Sequence, residues 1–235
     1  MINYNEIWKN IWGDMQRFGP THRHLCRKYS ELLKNIEYES IVDVGCGNGI
    51  NFPIWCSGKK IKMLAGVDIS SECIDLIRKQ YKGEFKVLDI QGACLDIKYD
   101  LVICNLLLEH IVDDEAVIKN LYKMANKYLL VTTIQGDFKR YEKFEKQGGH
   151  VKNYSKKELE RKLKNNGFEI IRRIEWGFPF YSPVTRFLQN LNLEGSVGNY
   201  GFVTKIIARL FYLFYFLNSS KKGDVIILLA EVSKY

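Results

Sequence analysis

Cysteine pairs, histidines and prolines are the scarce features of this chain. Its six cysteines stand at 26, 46, 56, 73, 94 and 104, with no C-x-x-C pair among them. That spacing suits neither a zinc site nor a thioredoxin-like motif. The opening MINYNEIWKN lacks the basic, apolar and small-residue order of a signal peptide, so a reduced, cytoplasmic protein is expected. No uncharged apolar run is long enough to cross a bilayer. With 4 prolines, 46% hydrophobic and 26% charged residues, the composition excludes a disordered chain, a collagen and a pure coiled coil. The 35 Lys and Arg against 27 Asp and Glu leave a net charge of +8, which permits nucleic acid, anionic lipid or an acidic substrate as partner and proves none.

The 235 residues suit one large α/β domain or two small ones. A chain of this size buries about 70% of its unfolded surface and needs no staple. Residues 1–38 read as a helical, aromatic-rich cap, with Ile7, Trp8, Ile11, Trp12 and Met15 at helical spacing. Gly19-Pro20 breaks it, and a second helix is expected over about 21–34. From Ser40, short apolar runs alternate with helical stretches: SIVDVG, KMLAGVDIS, FKVLDI, YDLVICN and YLLVTTI as strands, SSECIDLIRKQY and DDEAVIKNLYKMA as helices. Ser70 and Asp113 or Asp114 are natural N-caps. This alternation implies βαβ units, a doubly wound and mostly parallel sheet with a Rossmann-like core. A capped helix, a glycine stop and a strand follow to residue 176, and GDVIILLAEVS makes the last strand. Residues 39–176 and 223–235 thus form the core. Residues 177–222 are too long for an ordinary connection and are expected to be a functional, helical insertion.

The sharpest signal is Asp43-Val44-Gly45-Cys46-Gly47-Asn48-Gly49, at the end of the first strand. Such glycines let the backbone turn and approach a ligand without a Cβ clash. Dinucleotides and S-adenosylmethionine both use loops of this kind. The dinucleotide fingerprint wants a glycine or alanine where Ile50 stands. Asp43 also suits a methionine ammonium better than a pyrophosphate, because its anion attracts the one and repels the other. Asp68 lies about 20 residues further, where a carboxylate can accept ribose hydroxyls. Asp89 can accept an adenine amino proton while Ile69 and Ile90 flank the nucleoside, and Asn105 closes the fourth strand. All converge on the sheet edge where open α/β folds bind ligands.

The ordered series VDVGCGNG, GVDIS, LDI and YDLVICNLLLEHI resembles the class I S-adenosylmethionine-dependent methyltransferases, nearest their small-molecule branch. The resemblance covers residues 40–176 and the closing strand. It implies a seven-stranded sheet whose last strand is antiparallel. It also implies S-adenosylmethionine as cofactor, held by Asp43, Gly45, Cys46, Gly47, Asn48, Asp68, Ile69, Asp89, Ile90 and Asn105.

Methyl transfer to a hydroxyl needs a base, and His is the side chain matched to neutral pH. The four histidines are 22, 24, 110 and 150. His110 follows the fourth strand, where it is a base or a structural histidine bonded to a loop carbonyl. His150 follows Gly148-Gly149, where it is a base or part of a turn capping the next helix. Similar GHV-x-x-YS segments in the resembling family face the substrate pocket, so Tyr154 is expected as a nearby donor. Glu109 is expected to hold His110 in one tautomer. His22 and His24 at i, i+2 do not share a helix face and make no metal site. Arg17 and Arg23 there either solvate a basic turn or touch a substrate anion. Asp113-Asp114-Glu115 follows from the helix dipole alone, so no metal is expected.

Basic residues from Lys152 to Arg173 read as a solvated helix face. The Pro-Pro-aromatic tetrapeptide of nucleic-acid amino-methylating enzymes is replaced by Asn105-Leu106-Leu107-Leu108, and no Pro precedes a Cys. A small-molecule acceptor, methylated at oxygen, is therefore expected over RNA or a non-catalytic cofactor-binding subunit. In the insertion, Phe202, Ile206, Leu210, Leu213, Phe214 and Leu217 form one helical stripe. It is expected to be a buried cap or a homodimer interface, with a peripheral membrane contact as the alternative.

Overall fold

A computed structural model describes residues 13–191 and 199–233. The expected helical spacing of Ile7, Trp8, Ile11 and Trp12 lies outside the described residues. Helix α1 (Gly13–Phe18) and α2 (Pro20–Leu33) precede the sheet, with Pro20 preset for the first helical turn. Seven strands follow: β1 (Ser40–Val44), β2 (Met63–Asp68), β3 (Glu84–Val87), β4 (Tyr99–Asn105), β5 (Ala125–Ile134), β6 (Phe168–Trp176) and β7 (Val225–Val232). Between them run α3 (Phe52–Trp55), α4 (Ser71–Gln80), α5 (Asp114–Met124), α6 (Glu142–Gln147) and α7 (Glu158–Asn165). The caps are those expected. Ser70 Oγ accepts the Cys73 N–H at 3.2 Å, and Asp113 Oδ1 accepts that of Ala116 at 3.1 Å.

The strand order is β3-β2-β1-β4-β5-β7-β6. β1 to β5 pair in parallel, and β7 lies antiparallel between β5 and β6. From β1 the chain winds outward to β2 and β3, then returns to β4 on the other side. The reversal opens a crevice at the carboxyl ends of β1 and β4. Residues alternate between the two sheet faces. Val42 and Val44 join a core with α5 and α7, while Ile41 joins Leu25, Tyr29, Trp55 and Ile74 on the opposite face.

The segment between β6 and β7 carries α8 (Arg186–Asn190) and α9 (Phe202–Phe214). α9 packs on α2. His24 Nε2 meets the Tyr212 carbonyl at 2.8 Å, and Arg23 and Arg27 lie over the Tyr212 and Phe216 rings at 3.8 and 4.1 Å. Within one chain the stripe expected as a buried cap or an interface is largely uncovered: Phe202 is 80% exposed, Leu213 63% and Leu217, just past α9, 67%. α9 is apolar almost all round. Its small Ala208 is buried and permits close approach, which leaves the larger side chains outward. Among the described residues no helix is long and apolar enough to cross a membrane.

Candidate active site

The loop after β1 is built by backbone hydrogen bonds. Gly45 and Cys46 donate their N–H groups to the Val67 carbonyl at 2.8 and 3.1 Å. Gly45 has φ +75°, and a Cβ there would meet Leu107 at 3.1 Å, so only glycine fits without displacing the cavity wall. The Gly47 N–H reaches Asp68 Oδ2 at 2.8 Å, and Asp68 Oδ1 accepts the Ser70 N–H at 2.9 Å. Burial pushes the Asp68 carboxyl up, opposed by those N–H groups. A carboxylate offers four lone-pair sites, so acceptor capacity remains on Asp68.

A cavity of about 610 Å³ opens at this crevice. Of the expected cofactor residues, Gly45, Cys46, Asp68, Ile69, Asp89, Ile90 and Asn105 line it. Asp89 is exposed, with Oδ1 accepting the Gln91 N–H at 2.9 Å. Asn105 Oδ1 accepts the Tyr29 hydroxyl at 2.5 Å, which fixes the amide. Leu106, with φ +51°, turns the chain sharply after β4, and Leu107, Glu109 and His110 line the cavity beyond it.

Three expected residues are not in the wall. Asp43 shares the face of Ile41 by strand alternation. It lies buried beneath the loop, where Oδ2 accepts the Trp55 indole N–H at 2.8 Å and Oδ1 has no partner. Burial pushes its carboxyl up to about 7. Asn48 turns inward, its Oδ1 accepting the Ile50 N–H at 3.2 Å, and Gly47 is spent on Asp68. The following helix starts at Phe52 and makes a single turn.

Both expected histidines line the cavity, their rings edge to face with centroids 4.7 Å apart. His110 Nδ1 meets the Gly149 carbonyl at 3.0 Å, and burial together with His150 pushes its pKa down to about 3. Glu109, expected to hold His110 in one tautomer, has its Oε2 accepting the Thr133 hydroxyl at 2.8 Å. Burial lowers the pKa of His150, and the Glu109 charge opposes this. His150 Nδ1 hydrogen-bonds Glu145 Oε2. Glu109, His110 and His150 each present a donor atom within 4.8 Å of the others.

Tyr154 does not line the cavity. It is buried behind β5, and its hydroxyl donates to Asp114 Oδ2 at 2.5 Å. The reason is Asp114, a stronger acceptor within reach, which also pairs with Lys152 and Lys162 at 2.8 Å each. The residues that sequence reasoning missed are Glu145 and Arg186. Glu145 precedes His150 by five residues across a Gly-Gly turn, a spacing that carries no recognised motif. Arg186 lies in the insertion and nothing local marks it.

The rest of the wall comes from the first two helices and the insertion: Met15, His22, Leu25, Tyr181, Leu188, Tyr200, Ile207, Phe211 and Tyr215 among them. Among the described residues no Lys or Arg lines the cavity, despite the chain's positive charge. Arg17 and Arg23 lie over Phe18 and Tyr212 instead.

A ubiquinone biosynthesis O-methyltransferase of Coxiella burnetii is 29% identical over 154 residues, which is 60% of this chain and 64% of that protein. The match therefore spans less than two thirds of that relative. Two solved structures share the fold. One is magnesium protoporphyrin IX methyltransferase from Synechocystis PCC 6803 with bound SAH, with TM-score 0.57, 20% identity and coverage of 90% of this chain and 83% of that one. The other is the N-methyltransferase NodS of Bradyrhizobium japonicum WM9, with TM-score 0.58, 13% identity and coverage of 92% and 98%. A family model described as "Methyltransferase domain" matches residues 15–173. With more than half of the chain matched, the protein belongs to that family, the class I S-adenosylmethionine-dependent methyltransferases.

Proposed function

We propose that the protein methylates a hydroxyl oxygen of an uncharged, largely apolar small or medium molecule, with His150 as the base. One observation carries this reading. A single cavity joins the glycine loop and its carboxylates to an aromatic cap, includes two histidines, and among the described residues has no Lys or Arg on its walls. A phosphate-rich acceptor finds no charge partner there.

The residues present fit S-adenosylmethionine. Gly45 leaves the space that a Cβ would take from Leu107, and Asp68 retains acceptor sites for ribose hydroxyls. Asp89 is exposed to accept an amino proton, with Ile69 and Ile90 offering apolar faces to a planar ring. The unpartnered Oδ1 of Asp43 lies beneath the loop, where a cationic ligand would favour its anion over the acid that burial favours. When bound, the cofactor supplies an electrophilic methyl group on a sulfonium. His150 takes the acceptor's proton at Nε2, because Nδ1 is committed to Glu145. His110, held down at about 3, stays neutral near pH 7 and cannot carry that proton. We read Glu109 and His110 as polar neighbours of the base His150 rather than as its fellow metal ligands, and exhaustive chelation is expected to leave turnover unchanged.

The test is formation of S-adenosylhomocysteine over a panel of phenols, hydroxylated rings, sugars and RNA. Turnover of a neutral hydroxylated ring is expected. Salt-sensitive turnover of RNA alone, or cofactor binding with no turnover at all, contradicts the reading.

A peripheral contact with anionic membrane, on a cytoplasmic face, is the partner reading we favour. The exposed α9 stripe shares its helix with the exposed Arg209, and the cavity-facing side of α9 carries Thr204, Ile207, Ala208 and Phe211. Six free thiols, three of them buried, support a reducing compartment. Co-sedimentation with anionic vesicles, lost in Leu213→Asp, supports the membrane; a concentration-dependent dimer without vesicle binding points to self-association instead.

A further inference from the structure

Arg186 is among the largest fully buried side chains of the protein, although arginine is almost never buried without partners. It lies on α8 of the insertion, yet its guanidinium reaches out of that segment. One nitrogen contacts Glu145 Oε1, and Nη1 donates to Asp224 Oδ2 at 2.5 Å. Its guanidinium carbon lies 4.3 Å from the Tyr141 ring centroid. Glu145, equally buried on α6, turns its second oxygen to His150 Nδ1, and Asn153 Nδ2 donates to its first at 3.3 Å. A second tie joins the same elements: Asn190 Oδ1 on α8 accepts the Phe144 N–H on α6 at 3.1 Å.

We propose that Glu145 and Arg186 are positioning residues that set the tautomer and basicity of His150, so that the inserted cap itself holds the base in working order. The inference rests on His150 being the base. An ionised carboxylate only accepts hydrogen bonds, so a Glu145 anion forces the proton of neutral His150 onto Nδ1 and leaves the lone pair on Nε2. A guanidinium keeps its proton under all ordinary conditions. Its contact with Glu145 therefore keeps that buried carboxylate ionised without leaving it free to draw a proton from His150 outright. Arg186, Glu145 and Asp224 together carry one positive and two negative charges. That net negative charge stabilises the imidazolium formed when Nε2 receives a proton, and Arg186 limits how strongly. The other groups facing His150 are Glu109 and His110, from the turn after β4.

The two variants move the base in opposite directions. Glu145→Gln removes the anion: the acid limb of the pH–kcat/KM profile should move down, and kcat should fall by about 10²-fold or more, as for loss of general-base catalysis. Arg186→Met leaves Glu145 uncompensated, so the limb should move up by about one pH unit, and Arg186→Lys should restore most of that shift. S-adenosylmethionine affinity should be retained in all three, which reports folding independently of turnover. A ¹⁵N NMR spectrum of the His150 ring should show hydrogen on Nδ1 in the wild type and on Nε2 in Glu145→Gln, a readout that needs no activity. Unshifted profiles with an unchanged tautomer overturn the proposal. If His150→Gln keeps wild-type kcat, the base assignment itself has failed; if it loses turnover while Glu145→Gln and Arg186→Met keep wild-type profiles, only this inference has.

Discussion

The two halves of the cavity are held together by different forces. The rim at the ends of β1, β2 and β4 is organised by backbone hydrogen bonds: Gly45 and Cys46 to Val67, Gly47 and Ser70 to Asp68. The cap of α1, α2, α8 and α9 is organised by rings and buried charge. His24 stacks on Trp176 with centroids 5.7 Å apart, Arg23 and Arg27 cover aromatic faces, and Arg186 is sealed among carboxylates. On the proposed reading the rim recognises an invariant ligand through fixed backbone geometry, whereas the cap offers a shape that side-chain changes can remake. Fold and cofactor are common to the family, and on the proposed reading the acceptor is a matter of the cap.

The largest expected effect lies between the two halves. His150→Gln should lower kcat by about 10²- to 10⁴-fold, the usual span for a general base. It should change neither cofactor affinity nor acceptor KM, because neither half is disturbed. Next comes a substitution in the rim. Gly45→Ala puts a side chain at φ +75° and 3.1 Å from Leu107. The left-handed conformation alone costs about 1–2 kcal/mol; the free loop should relax away from it, and calorimetry should show cofactor affinity reduced by about 5- to 30-fold. Its counterpart in the cap is Phe211→Ala, which should raise the acceptor KM by about 10-fold through lost apolar contact and leave cofactor affinity alone. If the two variants affect both ligands alike, the division into halves is wrong.

The smallest effect concerns Asp43. Burial holds its carboxyl at about 7, against about 3.9 in an unfolded chain. The fold therefore favours the protonated acid. The stability this contributes is full below about pH 4 and is lost as pH rises through about 7. A cationic ligand at the loop favours the anion, so cofactor affinity should rise a few-fold from about pH 5 to pH 8. Asp43→Asn should flatten that rise and also remove the pH-dependent loss of stability, read by thermal unfolding at both pH values.

The rim was legible in the sequence because its chemistry is local. A strand ending in glycines, an aspartate at the next strand end and a third near Ile90 are short-range patterns with one physical reading. Even there, alternation placed Asp43 under the loop and an Asx turn took Asn48, and neither follows from residue type. The cap was less legible because its contacts are long-range. Glu145 and Arg186 are 41 residues apart (186 − 145), and Tyr154 went to Asp114 across 40 positions. The α9 stripe was readable as a helix face, but which side met the protein depended on Ala208 fitting against its neighbours rather than on the number of apolar residues.

The central claim is that the loop after β1 and Asp68 hold S-adenosylmethionine. Isothermal titration of the protein and of Asp68→Ala with S-adenosylmethionine, and separately with NAD, tests it directly. The account predicts binding of the sulfonium nucleoside alone, weakened by about 10-fold or more in the variant through lost hydrogen bonds to a charged group. Equal affinity in the two proteins, or preference for the dinucleotide, would contradict it.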